Sequence, residues 1–227
     1  MKSKNMIFVL VLSLFMLLSS CAAFDREQRF AFNPAEYSVF GDDCAGNRFI
    51  PRSFDDLEQR TRTDLIGDPA TDTAIIKCSV AGESINRIIE PTEAERDVNV
   101  AYGVNHVLTP VLIEEIYFAG KDVTIEVGKT YYLKEPFFYI TKGTPEYLEI
   151  YGENSVFSSE YIPMVKGEDY IVYVRYKHSD AYDYNGEATL SPIGLQESVY
   201  CITNPDWNTS ETNSYQDFRN TVIEVYG

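Results

Sequence analysis

Catalysis by a protein side chain needs a nucleophile with a base in reach, or a set of metal ligands. This chain is sparing with both. It has two histidines, His106 and His178, and neither forms a His-x-x-x-His pair or stands at zinc-ligand spacing from a second ligand. Each is therefore expected as a strand or loop residue. Carboxylates are plentiful, with 35 Asp and Glu, so a hydrolase using paired Asp and Glu is compatible with composition, yet no pair is singled out. The densest run of oxygen donors is "SDAYDYNGE", which offers Asp180, Asp183, Asn185 and Glu187 as candidate Ca²⁺ ligands. Aligned to the twelve-residue helical calcium loop through "DYNG", the first ligand position falls on Ala181 and the last on Pro192. That loop is excluded, and a solvated turn around Asn185-Gly186 is expected instead. "VTIEVGKT" ends like a phosphate-binding loop, but Val123 stands where that motif needs glycine, so a turn or bulge at Gly128 is the better reading. No catalytic residue, metal or cofactor is predicted.

The remaining reactive groups are four cysteines, Cys21, Cys44, Cys78 and Cys201. Cys78 lies in "AIIKCSV", where Ala74, Ile76, Cys78 and Val80 alternate onto one strand face. It is expected in the core as a small hydrophobe. Cys44 with Cys201 is then the default pair if a disulfide exists. Cys21 is different in its surroundings. Lys2 and Lys4 precede an apolar run from Met6 to Leu18, interrupted by Ser13. The run is about a dozen residues, against the ~20 that a membrane-crossing helix needs, so a cleavable export signal is expected.

The end of that run, Leu18-Ser19-Ser20-Cys21, resembles the lipobox of bacterial lipoproteins, a large aliphatic residue and two small ones before the cysteine. The resemblance covers about the first tenth of the chain. It implies cleavage before Cys21, lipid attachment (diacylglycerol and palmitate-type acyl chains) to its sulfur, and a lipid-anchored location at a cell membrane or outer membrane, facing away from the cytoplasm. The reading without lipid is an ordinary secretory signal cut after "CAA". Two acyl chains anchor stably where one does not.

The formal net charge of −16 becomes more negative by two when Lys2 and Lys4 leave with residues 1 to 20. A surface this acidic repels phosphate backbones, so nucleic acid is excluded as a partner. The membrane, through the anchor, and a protein or other envelope component are the expected partners. The chain has 17 Tyr against one Trp; Tyr suits both half-buried strands and recognition surfaces.

Along the chain, residues 21 to 51 are expected as a tether and wrapping arm, and residues 52 to 227 as one β-rich ectodomain. "RSFDDLEQRT" predicts a short helix, with Ser53 capping and Asp56 three residues on. Strand patterns follow in "TAIIKCSVAGES", "HVLTPVLIEEIYF", "VTIEV", "TYYL", "EYLEIYG" and "EDYIVYVRY". Pro110 is expected at an edge or bulge because it lacks an N–H, and the last strand is expected to be covered on both faces. Tyr215, Phe218, Val222 and Val225 fall at helical spacing, which predicts a terminal helix. The order predicts a mainly β fold, a small OB-like barrel or a sandwich, with a short helix at each end.

A helix segment like "FDDLEQRTRTDLI" leading into a first strand, followed by a later "KGxxYxVxV" strand (Lys166, Gly167, Tyr170, Val172, Val174), resembles a layout of exported bacterial proteins. Some of these are similar to the five-stranded OB-type barrel of netrin-like modules. The resemblance covers residues 53 to 178, lacks the typical netrin-like cysteines, and favours barrel over sandwich. Between Tyr131 and Tyr161 aromatics crowd around Pro136, Gly143, Pro145 and Gly152. Phe137, Phe138 and Tyr139 are the candidate ligand-facing residues there, the competing role being to cap the barrel end. The functional expectation is a membrane-anchored lipoprotein with a non-enzymatic binding domain; the alternatives are an envelope hydrolase and a structural envelope component.

Overall fold

A computed structural model of the chain describes residues 25–30, 38–41, 51–63, 67–89, 106–135, 137–140, 162–177, 184–194, 196–204 and 213–227. Helix α1 (Phe54–Arg62) begins at the expected cap. Ser53 Oγ accepts the Asp56 N–H at 3.1 Å. Asp55 and Asp56 in the first turn and Arg60 and Arg62 in the last complement the helix dipole. Leu57 and Thr61 are the buried residues of α1.

The described residues form ten strands: β1 (Asp25–Phe30), β2 (Ser38–Gly41), β3 (Thr73–Val80), β4 (Ser84–Ile89), β5 (His106–Ala119), β6 (Thr130–Glu135), β7 (Phe137–Ile140), β8 (Asp169–Lys177), β9 (Thr189–Pro192) and β10 (Val199–Cys201). Helix α2 (Asn213–Tyr226) ends the chain. Five strands close on themselves. β3 pairs with β5, β5 with β6, β6 with β9 in parallel, β9 with β8, and β8 back with β3. This closure makes the fold a barrel rather than a sandwich, with an OB-like set of five strands and a helix on either side in sequence. β4 and β1 extend the sheet from the first part of β5, β10 adds to β8, and β2 pairs with β7 as a separate ribbon.

β8 reads as expected: Tyr170 to Val174 are all fully buried. A strand can bury every residue only when both of its faces are covered. Leu57 from α1 and Tyr215 and Val222 from α2 belong to the same apolar cluster as Ile75, Ile76, Val107, Leu133 and Leu190 from the barrel. α2 docks on β10 through a stacked Tyr200–Tyr215 pair at 5.5 Å and through Arg219, whose Nε donates to the Cys201 carbonyl at 2.9 Å. Val222 is buried, but Val225 is 53% exposed, so the buried face of α2 does not extend to the last expected position. Tyr226 packs there instead.

Three further expectations change. "VTIEV" is not a strand: β6 starts only at Thr130, and Val127 is 59% exposed although Ile125 is buried. Alternation there serves a loop that folds back over the barrel, closed by Gly128, whose N–H donates to the Ile113 carbonyl at 2.8 Å. Pro110 is inside β5 and buried. Its carbonyl accepts the Ala81 N–H at 2.8 Å, and its missing N–H falls where the partner of β5 changes from β4 (Ile85 opposite Leu108) to β3 (Val80 opposite Val111). A gap in the ladder costs nothing at such a junction. Finally, the segment expected as an arm supplies β1 and β2.

Gly120 follows β5 at a crossing too tight for any side chain. A Cβ there would meet the Thr71 carbonyl oxygen at 2.5 Å, and the Gly120 N–H donates to Thr73 O at 2.8 Å.

Candidate functional site

The expected site residues fall in three places. Asn185 and Glu187 are exposed on a tight turn, Asn185 with φ 54° and Gly186 with φ 79°, bridged by Tyr184 and Glu187. Tyr184 is buried against Ile85, Leu108 and Tyr132, with Arg87 5.4 Å from its ring centroid. The turn thus clips an outer face of the sheet. Asp180, Asp183 and His178 lie outside the described residues, as do Cys21, Cys44 and "EYLEIYG". Among the described residues, no three His, Cys, Asp or Glu side chains gather closely enough to hold a metal ion. His106 is buried in β5 opposite Arg87.

Phe137, Phe138 and Tyr139 are not in an irregular loop. They form β7, which pairs with β2 so that Gly41 is opposite Phe137, Phe40 opposite Phe138 and Val39 opposite Tyr139. β7 follows β6 after one residue and runs beside β4 and β5. Its position along the barrel can be read from the registers. Glu135 is opposite Val107, so β7 continues past the His106 end of β5. Arg87 is opposite His106 and Asp25 opposite Ile89, so the first residue of β1 lies beyond that same end. The β2–β7 ribbon and the start of β1 therefore share one pole of the molecule.

The structure also organises two carboxylates that composition alone could not distinguish. Glu135, fully buried at the end of β6, accepts from the Thr109 hydroxyl and, at 3.1 Å, from the Met164 N–H. Thr109 in turn shares a hydrogen bond of 2.9 Å with Ser84. Beside it, the Tyr170 hydroxyl accepts the Val165 N–H at 2.7 Å. These contacts fasten the segment 162–165 to the barrel. Glu58 on α1 accepts from the hydroxyls of Tyr173 at 2.7 Å and Tyr226 at 2.8 Å, while its other oxygen meets Arg62 Nε at 2.7 Å. Arg62 also donates to Tyr226 at 2.8 Å, and Tyr117 donates to the Tyr226 carbonyl at 2.5 Å. This second cluster joins α1, the barrel and α2. Burial pushes the Tyr173 and Tyr170 phenols far up, and burial with the nearby Glu115 charge pushes Tyr117 up to about 12. Both clusters pair buried phenols and hydrogen-bonded carboxylates that fasten one segment to another.

The thiols of Cys78 and Cys201 are free and buried. Cys78 is in the core as its strand neighbours predict, and burial raises its pKa far above that of an exposed thiol. Cys201 is buried on β10 against β8; Cys44, its default partner, lies outside the described residues. Nothing in the local sequence marks Glu58 or Glu135 for their roles; the one signal is that each sits in a run otherwise patterned for burial, "FDDLEQRT" and "YYLKEPFF". Comparison of the chain with protein-family models, with curated proteins and with solved structures finds no match.

Proposed function

We propose that the chain is an exported bacterial lipoprotein, held to a membrane through lipid on Cys21, whose OB-like barrel is a non-enzymatic interaction module. The observation that carries this reading is the order Lys2 and Lys4, apolar run, Leu18-Ser19-Ser20-Cys21. The barrel supports the second half of it. Its interior is filled by Ile, Val, Leu and Tyr side chains, so contacts with a partner fall to its outer surface and loops. The carboxylates of Glu58 and Glu135 are committed to joints between segments, which favours a binding role over a hydrolase. Among the surfaces, the β2–β7 ribbon carrying Phe137, Phe138 and Tyr139 is the candidate contact region.

The test is replacement of the anchor. Cys21→Ala expressed beside the wild type is expected to leave the detergent phase on phase partition while its ectodomain keeps the wild-type melting temperature. Equal retention of both forms in detergent refutes the anchor. Affinity capture from envelope extracts, with and without calcium, then identifies a partner.

A further inference from the structure

Five of the described tyrosines form a continuous line through the molecule. The ring centroids of Tyr117 and Tyr226 are 4.8 Å apart, those of Tyr226 and Tyr173 6.5 Å, those of Tyr173 and Tyr200 6.1 Å, and those of Tyr200 and Tyr215 5.5 Å. Every step is a direct aromatic contact. The line draws on β5, β8, β10 and both ends of α2, whose Tyr215 and Tyr226 stand about three turns apart. Tyr173, Tyr200 and Tyr215 are buried, while Tyr117 and Tyr226 are half-buried, so the line leads from the core to the surface.

The hydroxyl partners divide it. Tyr200 and Tyr215 donate to the backbone carbonyls of Glu197 and Val199. Tyr173 and Tyr226 instead donate to one and the same atom, Glu58 Oε1, at 2.7 and 2.8 Å. Arg62 Nε holds the other oxygen of Glu58 at 2.7 Å, an ion pair that leaves Oε1 to the two phenols. A backbone carbonyl accepts a hydrogen bond but does not keep a proton, whereas a carboxylate does both. The distinction matters when a phenol loses an electron, because an oxidised phenol is strongly acidic and a positive charge left in the core is costly.

We propose that Tyr173, Glu58 and Tyr226 form a sink for one-electron oxidants, fed from the interior by the line of tyrosines. The oxidant is a small radical that accepts a single electron. When it takes one from Tyr226, the phenol proton crosses its hydrogen bond to Glu58 Oε1. The products are a neutral phenoxyl radical on Tyr226, the acid form of Glu58 and the oxidant reduced by one electron. Exchange with Tyr173 moves one electron from the Tyr173 ring to Tyr226, while Oε1 returns a proton to Tyr226 and takes that of Tyr173. An electron vacancy on Tyr200 or Tyr215, which has kept its proton, is filled by an electron from Tyr173, whose proton passes to Glu58. A one-electron reductant of the ascorbate or thiol class restores the site by giving Tyr226 an electron as Glu58 returns the proton. The sink uses only residues of the barrel and its two helices, so it is independent of the anchor and of any binding partner.

The test is pulse radiolysis of the full chain with azide radicals, in a Trp207→Phe background so that tyrosines are the rings oxidised. Phenoxyl absorbance and electron paramagnetic resonance follow the product. The parent signal is expected to outlive several-fold those of Tyr226→Phe, of Tyr226→Phe combined with Tyr173→Phe, and of Glu58→Gln, which keeps the volume and an acceptor but not the proton. Its formation is expected to slow in deuterium oxide in the parent and not in Glu58→Gln. Circular dichroism checks that each variant is folded. Tyr226→Phe, which loses only a hydroxyl at the half-buried seam, carries the test where the double variant does not fold. Packing alone predicts no difference: a parent signal no longer-lived than that of Tyr226→Phe overturns the proposal, and so does an unchanged lifetime in Glu58→Gln.

Discussion

Glu135 and Glu58 face the same physical difficulty and meet it with different donors. Glu135 is fully buried within the sheet, and the donors described at its oxygens, a threonine hydroxyl and a backbone N–H, are neutral. Glu58 stands at a seam between helices and barrel, its side chain 17% exposed, and its donors are two phenols and a guanidinium. Burying a carboxylate is costly unless its lone pairs are filled. Inside the sheet, strands already fix neighbouring donors in place, so short side chains suffice. At the seam the partners come from three separate elements, and long side chains with a charge or a large ring are needed to reach. The two donors described at the barrel clamp do not titrate in the accessible range, whereas the helix seam is built from groups that titrate.

Alkaline titration breaks this comparison most strongly. Tyr117, Tyr170, Tyr173, Tyr200 and Tyr226 all have phenol pKa values raised by burial, Tyr117 to about 12. A raised folded-state value favours the neutral form, so its contribution to stability is complete below the unfolded value near 10 and is lost as pH climbs through the folded one. The fold is expected to hold to about pH 10 and to unfold cooperatively above it, with the seam around Tyr117 and Tyr226 opening first. Tyrosinate absorbance and circular dichroism recorded together check this. Full tyrosine ionisation near pH 10 with native circular dichroism contradicts it.

Glu135→Ala comes next. It leaves the Thr109 hydroxyl and the Met164 N–H without that acceptor and opens a cavity at the barrel end, an expected loss of ~3–5 kcal/mol in urea unfolding. Glu135→Gln, which keeps the volume and one acceptor, is expected to cost less than half as much. A Gln variant as damaging as Ala would show that the negative charge itself matters more than the hydrogen bonds.

Glu58→Ala is expected to cost about 1–2 kcal/mol, since water can enter the seam and rehydrate the phenols and Arg62. Its effect is expected to be strongly non-additive with Tyr226→Phe, because both changes remove one shared contact. Additive losses in a double-mutant cycle would mean that the two helices are held to the barrel independently.

Much of the architecture was legible in the residues. Ser53 and Asp56 announce α1 because a cap is a local contact that the sequence spells out. The continuous apolar run of β8 and the alternation around Cys78 are direct records of burial on two faces and on one. Three features were not legible, for a different reason. Alternation in "VTIEV" is the pattern of a strand, but its register with β5 is broken by the turn at Gly128, and only the neighbouring chain reveals that. The buried position of Pro110 depends on two other strands exchanging places beside it. The burial of Cys201 depends on β10 pairing with β8.

The candidate site divides along the same line. The export signal proposed before Cys21 rests on twelve apolar residues between Met6 and Leu18 and on Ser19 and Ser20 after them, a local pattern that no fold needs to complete. That Phe137, Phe138 and Tyr139 belong to a strand, and that this strand shares a pole with the residue four positions after Cys21, follows from registers between segments as far apart as Ser38 and Ile140. Sequence alone thus determined the caps, the apolar runs and the acidic charge, because each rests on neighbours along the chain. Tertiary structure alone decided which carboxylates became clamps and which end of the barrel carries the uncharged aromatic ribbon, because pairing between distant strands brings those groups together.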